Sequence, residues 1–228
     1  PKDAVKDLAI TSAKMDSVNE ISFSTNVKMN ENLNKENVVL KENGEVITIK
    51  SLKLNENLTS GKIVTEKDLS LSNEYTLDID GYNGVNLTLG QIFNSQEFED
   101  LYHFDGDLGA LYSKDKTSFV FWSPTATSVK LALFDAGNDV SAKETIEMTK
   151  GENGTWILDV NGDLNGTYYT YLVTNNGVEK EVTDPYAKAV GVNGNRAMVV
   201  DLESTNPEGW ENDVKPEFVD ATDAIIYE

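Results

Sequence analysis

Cysteine is missing from these 228 residues, and histidine occurs once, at His103. Without cysteine there are no disulfide staples and no thiolate metal sites. With a single histidine, zinc binding or a nucleophile–base pair would need unusual partners, so His103 reads as structural. Positive charge is also scarce: 19 Lys and Arg stand against 39 Asp and Glu, a formal charge of −20. Phosphate backbones need clustered Lys and Arg, so nucleic acid is not an expected partner, and anionic membranes are disfavoured for the same reason. A neutral polymer such as a glycan is not repelled, and solubility alone accounts for the acidity. No apolar run approaches the roughly 18–20 residues that would span a bilayer. There is no basic, apolar, small-residue leader, and the chain starts at Pro1. That start fits a mature exported protein or an excised piece, and an extracellular or cell-surface location is the expectation, with an intracellular one as the alternative.

What is present is β-patterning. "ISFSTNV" alternates Ile21, Phe23 and Thr25 against Ser22, Ser24 and Asn26, and "EVITIKSLKL" and "EYTLDIDGY" continue it. "ENGE" at Glu42 to Glu45 carries the Asn-Gly signal of a tight hairpin. Residues 1–84 therefore read as an immunoglobulin-like β-sandwich. Residues 85–101 interrupt the alternation and read as a connector. Asn94 followed by Glu97 resembles a capping box and predicts a short helical turn near Ser95 to Leu101. Strand signals resume in "TSFVFWSP", "SVKLALFD", "TWILDV", "TYYTYLVT", "VEKEVT" and "AMVVDL", spaced as in a second small sandwich over 102–205. Residues 206–228 remain as a lead-in that ends in "DAIIYE", where two isoleucines open a strand-like run. The fold class is all-β.

Few residues carry a chemical signature. "DIDGYNG" (Asp78 to Gly84) looks like a calcium loop, but Tyr82 takes the place of the third oxygen ligand and no closing Glu stands at the twelfth position. It reads as a strand end and a glycine turn. Gly191 and Gly194 in "GVNGN" lack the spacing of a phosphate-cradling loop. No nucleophile, base and oxyanion set is visible, so no catalytic residue, metal ligand or cofactor is assigned. Among the aromatics, alternation puts Tyr169 and Tyr171 on one face of a strand and Tyr168, Thr170 and Leu172 on the other. One of those faces must be core. Trp122, just before Pro124, reads as buried.

Taken together and in order, "YHFDGDLGALY", "TSFVFWSPTATSVKLALF", "GDLNGTYYTYLV", "VTDPYAKAVGVNGNRAMVVDL", "NPEGW" and "DAIIYE" resemble the region before the catalytic barrel in bacterial type I pullulanases, debranching enzymes of the α-amylase superfamily. The resemblance covers Thr88 to Glu228. Residues 1–84 match only as the kind of immunoglobulin-like domain such enzymes carry in front. The resemblance implies that "DAIIYE" is the first strand of a (β/α) barrel that this chain does not contain, and that the carboxylates of a retaining glycosidase lie beyond it. It also implies that 102–205 is a starch-type carbohydrate-binding module. Members that hold glycogen firmly use exposed tryptophans, a lysine and an asparagine. On this sequence the lysine position is Thr170, the second tryptophan falls near Glu181, and the asparagine falls near Arg196 or Ala197 with Asn195 beside it. No tryptophan stands near Gly137 and Asn138, so the platform is eroded, and any remnant centres on Tyr168 and Thr170. Tyr186, Asn193 and Arg196, with Trp210 in the lead-in, are the expected docking face for the barrel.

The resemblance thus implies a non-catalytic front part of an enzyme acting on α-1,6 branch links, with weak or no α-glucan binding of its own. A stand-alone glucan-binding or surface-attachment protein is the rival, and a spacer with neither activity is the third reading.

Overall fold

Residues 7–225 and residue 227 are described by a computed structural model. Nine strands build the first sandwich: β1 (Ile10–Met15), β2 (Glu20–Thr25), β3 (Val38–Glu42), β4 (Glu45–Ile47), β5 (Ile49–Leu54), β6 (Ser60–Thr65), β7 (Tyr75–Ile79), β8 (Val85–Asn86) and β9 (Thr88–Leu89). They form one sheet in the order β5-β6-β2-β1-β9 and a facing sheet in the order β4-β3-β7-β8. The alternation in "ISFSTNV" has the expected result: Ile21, Phe23 and Thr25 are buried, and the residues between them face outward. These side chains share the core with Ile63 of the adjacent β6 and with Leu40 and Leu77 of β3 and β7 in the facing sheet, all three fully buried. Each such burial contributes about 1.5–3 kcal/mol.

The Asn-Gly hairpin is present. Asn43 and Gly44 both have positive φ (49° and 90°), and Glu42 pairs with Glu45 across the turn. "EVITIKSLKL" is not one strand, however. It breaks at Thr48, and β4 pairs with β3 whereas β5 crosses to pair with β6 in the opposite sheet. In "DIDGYNG", β7 ends at Ile79, Gly81 takes φ 81°, and the Tyr82 N–H closes the turn on the Ile79 carbonyl. β8 pairs with β7 and β9 runs parallel to β1, so residues 85–89 lie in the sheets of the first sandwich.

The connector follows as a 3-10 turn (Gln91–Asn94) and helix α1 (Gln96–Tyr102). Its cap is Ser95, not Asn94: the Ser95 hydroxyl accepts from the Phe98 N–H at 3.2 Å, and the Asn94 side chain instead donates to Gln91 in the preceding turn. Phe98 and Ile92 are buried in the first core.

Ten strands build the second sandwich: β10 (Gly109–Tyr112), β11 (Lys116–Trp122), β12 (Ser128–Phe134), β13 (Glu144–Glu147), β14 (Thr149–Lys150), β15 (Thr155–Asn161), β16 (Tyr168–Asn175), β17 (Val178–Val182), β18 (Ala189–Val190) and β19 (Ala197–Met198). One sheet runs β10-β11-β15-β14. The other runs β13-β12-β16-β19-β18, with β17 also paired to β16. Between them lie Phe119, Leu131, Tyr169, Tyr171 and Trp156, so alternation in "TYYTYLVT" resolves with Tyr169 and Tyr171 inward.

From Glu203 onward the described residues are exposed and hold three 3-10 turns. Of the expected strand over 223–228, Asp223 closes the turn Ala221–Asp223 by accepting from the Val219 and Asp220 N–H groups. Ala224, Ile225 and Tyr227 carry no strand pairing, and Ile226 and Glu228 lie outside the described residues.

Candidate functional site

β12, β16 and β17 set the outer face of the six-stranded sheet. Their register places Phe134 beside Tyr168, Ala132 beside Thr170, and Lys130 beside Leu172, which in turn faces Glu181. The residues expected from sequence are therefore neighbours here. Tyr168 is half-buried, with one side of its ring against two glycines. A Cβ on Gly137 or Gly191 would stand 2.9 or 3.0 Å from the ring, and the two glycines also pass close to one another. Thr170 is fully buried and donates its hydroxyl to Glu181 Oε1 at 2.9 Å, so it presents no surface of its own. Glu181 is exposed above it.

Asn195 is exposed at the end of a 3-10 turn (Val192–Gly194), and its backbone carbonyl accepts from the Thr183 hydroxyl at 2.9 Å. Asn193 sits in that turn at φ 56° and is exposed. Next along the face, Lys130 bonds Glu179 at 2.9 Å and lies 3.9 Å from Glu147. The Glu179 carboxylate raises the lysine above its ordinary range. This charged cluster gives no signal in sequence, because its members come from three different strands.

The docking residues fall into two groups. Arg196 is engaged within the module: its guanidinium donates to the Ala136 and Val140 carbonyls at 2.7 and 2.8 Å and stacks 3.6 Å from the Phe134 ring centroid. It locks the loop after β12 to the turn that carries Asn193 and Asn195. Tyr186, by contrast, is 55% exposed and Trp210 is 57% exposed. Val214, Phe218, Val219, Ile225 and Tyr227 extend the exposed apolar series beyond Trp210.

Beneath Tyr186 lies a residue that sequence reasoning passes over. Asp184 is buried, with Oδ2 accepting from the Tyr169 and Tyr171 hydroxyls at 2.8 and 3.2 Å and Oδ1 accepting from the Tyr186 N–H at 2.8 Å. Burial, and then the Asp184 charge, push both phenols up from their ordinary value. Trp122 corrects another expectation. It is 38% exposed, on the outer side of the opposite sheet, because its indole N–H is drawn to the connector. His103 is also exposed and bonds Asp105 at 2.7 Å. Among the described residues, no three His, Asp or Glu side chains converge as a metal site would require.

Residues 107–187 match the family "Carbohydrate-binding module 48 (Isoamylase N-terminal domain)". The pullulanase of Bacillus subtilis is 36% identical over 144 residues, which is 63% of this chain and 19% of that protein. Pullulanase A of Streptococcus pneumoniae is 28% identical over 250 residues, covering 98% of this chain and 19% of that protein. Among solved structures, a pullulanase from Anoxybacillus sp. LM18-11 complexed with maltotriose superposes with a TM-score of 0.75 at 30% identity, over 95% of this chain and 31% of that one. The chain thus spans 19% of the length of the two curated relatives. Residues 107–187 match the carbohydrate-binding module 48 family, and the chain is similar over most of its length to the module-bearing part of pullulanases.

Proposed function

We propose that this chain is the non-catalytic support of an enzyme that hydrolyses α-1,6-glucosidic branch links in pullulan, starch or glycogen, and that it cleaves nothing itself. The observation that carries this reading is the module match over 107–187 within a chain similar to pullulanases nearly end to end. In this reading the first sandwich, which takes in residues 85–89, and the rest of the connector (90–101) hold the module (102–205) in place, and 206–228 lead to the barrel. Export of the parent enzyme goes with it.

The module's own α-glucan contact is weak. Tyr168 offers one half-buried ring, Glu181 and Asn195 offer exposed polar groups, and Thr170 contributes only by holding Glu181. A pyranose needs a flat apolar surface and hydrogen-bonding rims together, and one partly covered ring supplies little of the first. Asn193 and Trp210 supply the exposed part of a docking face for the barrel, with Arg196 holding the turn that carries Asn193, whereas Tyr186 lines the groove beside α1.

Pullulan incubated with the purified chain should release no reducing sugar, and its mobility in glycogen-containing gels should be only slightly retarded. Measurable hydrolysis refutes the non-catalytic reading. Strong retardation favours the glucan-binding protein in its place, and no retardation leaves a spacer.

A further inference from the structure

The groove between α1 and the second sandwich lies on the sheet opposite Tyr168. It is open, about 240 Å³, and has Trp122, Phe98, Tyr102, Phe104, Leu108 and Tyr186 among its lining residues. Trp122 is held there by its polar edge. Its indole N–H donates to the Tyr102 carbonyl at 2.9 Å and the Asn153 carbonyl at 3.0 Å, with Phe98 edge-on at 6.4 Å. With its only donor satisfied, what Trp122 still shows is apolar ring. Tyr186 lines the same groove, its backbone anchored through its N–H to buried Asp184 and packed over Gly109. Glu99 and His103 form the rim.

We propose that this groove is a second α-glucan subsite, with sugar rings lying against Trp122 and Tyr186 and their hydroxyls donating to Glu99. The inference rests on the reading that the chain serves an α-glucan enzyme, and it moves the stronger sugar contact away from the Tyr168 face. Three features select this ligand. Two exposed aromatic residues border one concavity, which matches the apolar faces of successive pyranoses. The rim carboxylate and the charge of −20 repel anions and leave a neutral ligand unopposed. The tryptophan is pinned before any ligand arrives, so little rotamer entropy is lost on binding.

The test uses the full chain carrying Trp210→Phe, in which Trp122 is the exposed tryptophan and Trp156 is buried. Titration with maltohexaose should shift the emission saturably, and calorimetry should give the same affinity. Tyr186→Ala should weaken binding by about tenfold. Glu99→Gln, a substitution on the helix surface that leaves the core untouched, should weaken it measurably, whereas Tyr168→Ala, on the opposite sheet, should weaken it far less than Tyr186→Ala. Binding that survives Tyr186→Ala and Glu99→Gln but is lost in Tyr168→Ala overturns the groove and keeps the glucan reading. Absence of calorimetric binding in the parent chain overturns the groove and leaves the chain a support that holds no glucan of its own.

Discussion

Asp184 is a carboxylate with almost no solvent and, among the described residues, no ion pair. Three donors hold it, from Tyr169, Tyr171 and the Tyr186 backbone. Removing it leaves two buried hydroxyls and an N–H without their acceptor but also removes a desolvated charge. The first effect is larger, so Asp184→Ala should cost about 3 kcal/mol in urea unfolding. Asp184→Asn keeps an acceptor in place and should cost about 1 kcal/mol. The same cluster predicts an alkaline limit. Burial, then the Asp184 charge, raise the folded-state values of Tyr169 and Tyr171, and burial, then Glu42, raise that of Tyr75. The unfolded chain releases these protons near pH 10, so their contribution is complete below about pH 10 and is lost as pH rises above it. The urea midpoint should fall progressively above that point, with tyrosinate absorbance from these rings rising together with loss of the β-sheet signal. A large rise that precedes unfolding would show that the phenols are not held. Alternation put Tyr169 and Tyr171 on one face but left open whether that face was the core, and Asp184 was invisible in sequence: its partners stand 13 and 15 residues away, and "TDPY" reads as a turn.

At seven residues, α1 is too short to persist by itself in water, so its stability comes from its cap and its packing. Ser95→Ala removes the cap on the Phe98 N–H and should cost about 1 kcal/mol. Phe98→Ala empties a place in the first core, between Phe93 and Tyr102, and should cost about 3–4 kcal/mol. Amide exchange should separate the two: Ser95→Ala speeds exchange only in the connector, and Phe98→Ala also in the first sandwich. Equal, local effects would mean that Phe98 is not part of that core. The sequence marks this helix to within a residue but names Asn94 for the cap in place of its neighbour Ser95, since both are polar and stand side by side. It does not mark the break at Thr48 in "EVITIKSLKL", because β4 and β5 keep strand chemistry on both sides and only the facing sheets decide which strand each joins. The strands Glu144–Glu147 and Thr149–Lys150 were hidden for a related reason: they are edge strands, largely exposed, without an apolar alternation to show them.

At the scale of the molecule, two sandwiches are legible in the period-two pattern, but their contact is not, since it joins residues far apart in sequence. Lys150 donates to the Ser72 hydroxyl at 2.7 Å across 78 positions. The Asn153 side chain donates to the Leu101 carbonyl at 3.2 Å, and Trp122 reaches the Tyr102 carbonyl. α1 is thus buried in one core through Phe98 and bonded to the other sandwich through its last turn. Melting either sandwich strips partners from the other, and the two should unfold together. Calorimetry of the parent chain should give one transition with matching calorimetric and van't Hoff enthalpies. Trp122→Phe keeps an aromatic ring against Phe98 but removes the N–H shared by the Tyr102 and Asn153 carbonyls, a loss of about 1–2 kcal/mol at the junction. Combined with Lys150→Ala, which frees Ser72, it should split the single peak into two, one for each sandwich. Two peaks already present in the parent, or one peak that survives both substitutions, would show that the helix and these bonds do not couple the halves.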